Sequence, residues 1–121
     1  MLDTTDIDNR NKALHYIIAD DKDIQCIEND KFGVCILAYS DVRLAKQMKK
    51  DLNTTKKIEE LMYIDLEIMS IKMNLNIAID WLEGYDWYEL VNIKNKIIKY
   101  PNTLDLTLYI RSFTLIKGNN V

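Results

Sequence analysis

Apolar residues in the first forty positions fall in three short runs, ALHYIIA at 13–19, IQCI at 24–27 and GVCILAY at 33–39, separated by the polar clusters DDKD and ENDK. Runs of this length, rich in Ile, Tyr and Val and bounded by turn residues, read as the strands of an antiparallel meander. The period then changes. Leu44, Ala45, Met48 and Leu52 fall on one face of a helix that Ser40 or Asp41 caps and that runs to about residue 52. IEELMYI at 58–64 alternates as a fourth strand would, although EELM also fits a helical turn. From Asp65, DLEIMSIKMNLNIAIDWL predicts two short helices with a break near Asn74, the second closed by Gly84. A further helix is expected from about Asp86, with Trp87, Leu90, Val91, Ile93, Ile97 and Ile98 at helical spacing, Lys94, Lys96 and Lys99 in its last turns, and Pro101 as its stop. LTLYIRSFTLI at 106–116 reads as a terminal strand or a short helix at a dimer contact. The expectation is an α+β fold: a small antiparallel sheet flanked by several helices in a single domain, with residues 1–12 as a flexible arm and both tryptophans largely buried.

Length and composition fit that picture. A chain of 121 residues with 48% hydrophobic content can bury one modest core. It contains no run of eighteen apolar residues and opens on a polar, acidic MLDTTDIDNR, so neither a membrane-spanning helix nor a secretory signal is expected, and the location expected is cytoplasmic. The net charge of −3 argues against a nucleic-acid binder until its distribution is counted. Residues 1–32 hold four basic and eight acidic groups, 40–57 six and two, 58–91 one and eight, and 92–121 five and one. Two basic segments alternate with two acidic ones.

Candidate chemistry is sparse. His15, the only histidine, alternates with Leu14 and Tyr16 and reads as a strand-surface residue, so no metal site is built on it. Cys26 and Cys35 lie in apolar runs without CxxC spacing and read as buried thiols. No P-loop, GxGxxG or HExxH is present, and the paired carboxylates are sequence neighbours, so neither an enzyme nor a cofactor is expected. What stands out is the polar side of the helix at 41–52. At about 100° per residue, Arg43, Lys46, Lys49 and Lys50 share roughly a third of the circumference opposite the apolar stripe, with Lys56 and Lys57 following. Long cations on one accessible face are what phosphate contact needs. A helix-turn-helix reading would instead send LNIAIDWL into the major groove with Asn76 as base reader, but that segment offers no Arg or Lys, and Asp80 and Glu83 would meet phosphates.

One stretch carries a family resemblance. WLEG at 81–84, Trp87 in DWYE, the lysine-ended segment after it and PNTLD at 101–105 resemble, in the same order and near spacing, the late-gene transcription activators of phi-29-like phages. The resemblance spans roughly residues 33–106. It implies a regulator that binds AT-rich double-stranded DNA as a homodimer and contacts host RNA polymerase, with Lys46 and Lys57 at the phosphate-contacting positions. Together with the basic face it gives a candidate DNA-binding set of Arg10, Lys12, Arg43, Lys46, Lys50 and Lys57, in which the NRNK at 9–12 stands where the family reads bases. Arg111 and Lys117 are the candidate polymerase contacts, in place of the arginine-rich tail of the family; Glu60 stands where the family has a basic residue. The competing expectation is an acidic protein-binding module, with the belt from Glu59 to Glu89 facing a basic partner and no DNA bound.

Overall fold

The computed structural model describes residues 9–29, 33–82, 87–91, 97–101 and 108–114. Three strands open it: β1 (Leu14–Ala19), β2 (Asp23–Asn29) and β3 (Gly33–Tyr39), as the three apolar runs predict. Helix α1 (Val42–Leu52) follows, then β4 (Lys57–Met62), helix α2 (Tyr63–Met73), β5 (Asn76–Ile79), β6 (Trp87–Val91), β7 (Ile97–Pro101) and β8 (Leu108–Thr114).

The expected small antiparallel sheet flanked by several helices is not what forms. One mixed sheet of eight strands dominates the chain, with a parallel pair, β3–β5, at its centre. Two expected helices are strands. LNIAIDWL supplies β5, and the segment from Asp86 to Lys99 supplies β6 and β7, an antiparallel pair in which Glu89 stands opposite Lys99 and Leu90 opposite Ile98. Tertiary pairing has overridden a spacing compatible with either element. Pro101, expected as a helix stop, instead closes strand β7 at the end of the sheet order, an edge position that tolerates proline.

The sheet forks at β3. Gly33 to Ile36 pair with β2, whereas Ala38 and Tyr39 pair with β1, and the other edge of β3 carries β5. Strands β1, β2 and β3 are mutually antiparallel, which a flat sheet cannot accommodate, so the chain must turn a corner between β1 and β2. That corner is pinned by Asp20, whose carboxylate accepts from the backbone N–H groups of Lys22 (2.9 Å) and Asp23 (2.8 Å). These two bonds hold the Asp20 carboxyl below its ordinary range. Beyond the fork, β4 extends β1 and β8 extends β2.

Because β4 is antiparallel to β1, and β1 to β3, strands β3, β4 and β5 all run the same way. The chain crosses from β3 to β4 through α1 and returns from β4 to β5 through α2. Crossovers of one hand that travel in opposite directions put their helices on opposite faces of a sheet. The packing agrees. Ile17, Ala19, Ile36, Ala38, Ile77 and Ile79 form one core with Tyr63 and Leu66 of α2, and the alternate residues Ile18, Cys35, Leu37, Tyr39 and Ala78 form another with Ala45 and Met48 of α1. A strand buried on both faces reads as a continuous apolar run, as GVCILAY does. Cys26 and Cys35 are free, buried thiols on opposite faces, and burial pushes both up to about 12.

His15 is buried, not on the strand surface. Its ring sits 5.3 Å from that of Tyr63, with Nδ1 3.2 Å from the Ala13 carbonyl. Trp81 is half-buried against the α1-side core, and the Trp87 ring lies outside the described residues.

Candidate nucleic-acid interface

Local chemistry sets α1 firmly. Asp41 has extended backbone angles and its side chain accepts from the Arg43 N–H at 2.8 Å, an N-cap. Asn53 closes the other end in the left-handed region (φ 51°), its N–H reaching the carbonyls of Lys49 and Lys50, which place two cations at the negative end of the dipole. Ala45 and Met48 are buried, Leu44 and Leu52 partly so, and Arg43, Lys46 and Lys50 point away from them into solvent. The expected basic face is therefore outward-facing, and Lys46 and Lys50 lie one turn apart on it.

Its charge is uneven. Arg43 gives its guanidinium to Asp41, Nη2 to Oδ2 at 2.6 Å, and these bonds with the Arg43 N–H hold the Asp41 carboxyl at about 2. Gln47 donates to Asp51 at 2.8 Å. Tyr16, beneath the start of α1, has its hydroxyl pushed up by burial and then by Glu60 and Asp41. The first turn is thus locally neutralised, and the positive field belongs to Lys46, Lys49 and Lys50. Behind α1 the chain is anchored: Ser40 gives its N–H (2.8 Å) and hydroxyl (2.7 Å) to the Asp80 carboxylate, and Tyr39 gives its hydroxyl to the Trp81 carbonyl at 2.8 Å. Asp80, at φ 65°, thereby ties the ends of β3 and β5 under the helix.

The other candidate residues are scattered. Lys57 is exposed at the start of β4, but it stands opposite Ala19, whose side chain belongs to the α2-side core, so register points Lys57 away from the α1 face. Arg10 is not on a free arm. Residues 9–12 form a helical turn, and its guanidinium lies over the Tyr63 ring, 4.4 Å from the centroid, on the α2 side. Lys12 is exposed at the end of that turn. Arg111 stands opposite Cys26 on β8, and Lys117 lies outside the described residues. Of the six candidate DNA-binding residues, Arg43, Lys46 and Lys50 share one surface.

Among the described residues no group of three His, Cys, Asp or Glu side chains could hold a metal, and no helix is long and apolar enough to cross a membrane. Trp81, Trp87 and Pro101, on which the activator resemblance rests, lie just past β5, at the start of β6 and at the end of β7. Comparison with family profiles, with curated proteins and with solved structures gives no match to this chain.

Proposed function

We propose that the protein is a duplex-DNA-binding regulator that docks the outward face of α1 along the phosphate backbone. The observation that carries this reading is the pair Lys46 and Lys50, exposed on successive turns and, among the described residues, in no ion pair, on a helix whose other face is locked into the core. Such contacts supply affinity without sequence information. The regulator role, the preference for AT-rich duplex and the contact with RNA polymerase rest on the likeness of WLEG, Trp87 and PNTLD to the phage late-gene activators. On that likeness the protein works in the host cytoplasm. Exposed Glu59, on the α2 side of edge strand β4, and exposed Asp65 in α2 favour one other reading, an acidic surface for a basic protein partner.

Fluorescence anisotropy with an AT-rich duplex at two salt concentrations separates the two. Binding that weakens steeply with salt is expected, and K46E and K50E should each make the plot of log affinity against log salt shallower by about one counterion. K57E and R10A should change it little, because neither residue shares the α1 face. No binding by the parent at low salt would leave the protein-partner reading standing, and K57E matching K46E would remove α1 as the docking element.

A further inference from the structure

Arg43 has the position of a phosphate contact but not the net charge of one. At about 100° per residue it falls within an arc of about 60° that also holds Lys46 and Lys50, about 10 Å along the helix from Lys50. Its side chain is 84% exposed. Yet the guanidinium is bound to the Asp41 carboxylate: Nε donates to Oδ1 (3.1 Å) and to Oδ2 (3.2 Å), and Nη2 donates to Oδ2 (2.6 Å). The same carboxylate accepts the Arg43 N–H as the helix cap, so Asp41 serves the backbone of the first turn and its cation together. The two residues share one turn, and the pair forms wherever α1 forms.

We infer that Asp41 is an internal counter-ion that withholds Arg43 from the phosphate track of α1, so that the protein docks through Lys46 and Lys50 with an arginine masked at the helix start. The inference rests on the phosphate-docking reading of α1 and adds to it the end at which the track is closed. An arginine whose charge is already cancelled by its own carboxylate releases little net counterion from a duplex. Exposed ion pairs are weak, and a phosphate could draw the guanidinium away from Asp41. The carboxylate itself cannot follow or leave, because the cap bond holds it at the start of the helix. A phosphate that reaches Arg43 therefore meets a fixed negative charge beside it. Protonation does not relieve this at neutral pH, since the bonds from Arg43 keep the Asp41 carboxyl at about 2.

A double-mutant cycle on duplex affinity tests the coupling, with circular dichroism confirming that each variant is folded. D41N removes the charge and keeps a residue that caps as well as aspartate does; R43Q removes the cation. Fluorescence anisotropy over a salt series should show R43Q alone leaving the slope of log affinity against log salt nearly unchanged. D41N should bind more tightly, with a slope steeper by about one counterion, so that its gain over the parent shrinks about threefold between about 50 and 200 mM salt. In D41N/R43Q that added slope should be gone. An R43Q change of equal size with and without Asp41 would overturn the inference, because Asp41 would then be only a neighbouring charge. A D41N slope equal to that of the parent would overturn it as well, since Arg43 would then have no phosphate to reach. Both results leave docking through Lys46 and Lys50 intact, whereas the absence of duplex binding by all four proteins at low salt would remove that docking and the masking of Arg43 together.

Discussion

Helices α1 and α2 are the same length, cover opposite faces of one sheet and end on an asparagine in the left-handed region, Asn53 and Asn74. They differ at the start and on the outside. Asp41 caps α1 with its side chain, whereas Met62 stands at the start of α2 with no side-chain bond to give. The outward face of α1 is cationic and that of α2 aliphatic. A helix needs one apolar stripe to hold its place, and α1 has one. On α2, by contrast, Ile68 and Ile71 on the outward face are 44% and 52% exposed.

The largest effects should fall on the inward faces. Leu66→Ala in α2 and Met48→Ala in α1 should each cost about 2–5 kcal/mol by chemical denaturation, since both side chains are buried. Ile71→Ala, in the same helix as Leu66, should change the stability of the monomer by less than about 0.5 kcal/mol. Equal costs at Leu66 and Ile71 would show that something within the chain covers the outer stripe. Next comes the duplex: K46E/K50E should reduce affinity more than either single change, and by a similar factor for every duplex sequence. Smaller again is the difference in capping. Met62→Ser supplies the oxygen that α2 lacks and should stabilise the protein by about 1 kcal/mol, read as a rise in Tm. The smallest concerns pH. The Asp41 carboxyl is depressed to about 2, so its contribution is fully present above the unfolded carboxylate range near 4 and fades as pH falls toward 2. Asp41→Asn should flatten that acid limb by lowering stability at neutral pH toward its acid value, with little change near pH 2, read by chemical denaturation across pH.

What could be read from the residues was whatever one element decides alone. GVCILAY, too apolar for a surface and too short for most helices, gave β3, and the single stripe of α1 with its Asp41 cap gave that helix. Asn74 was legible as a break, but the strand after it was not. NIAI is buried on both faces beside β3, and a short apolar run carries no period to say strand or helix. In WYELVNIKNKIIKY the spacing of Leu90, Ile93 and Ile97 suits a helix, while the aromatic and β-branched content suits the two strands that form. The candidate site divides the same way. Arg43, Lys46 and Lys50 could be placed together because one helix carries them. The separation of Lys57 from them depends on the pairing of Ala19 with Lys57, and the capture of Arg10 depends on Tyr63 being brought to it.

The fork at β3 has a consequence for the exchange of amide protons. Ile36, Leu37 and Ala38 are fully buried, both edges of their strand are hydrogen-bonded, and the partners come from three separate parts of the chain. Peeling away any one neighbour leaves the strand held by the others, so these amides should exchange with deuterium only when the whole domain opens, and at a rate that reports its global stability. Among the described residues strand β4 pairs with β1 alone, and it should exchange through openings that leave β3 untouched.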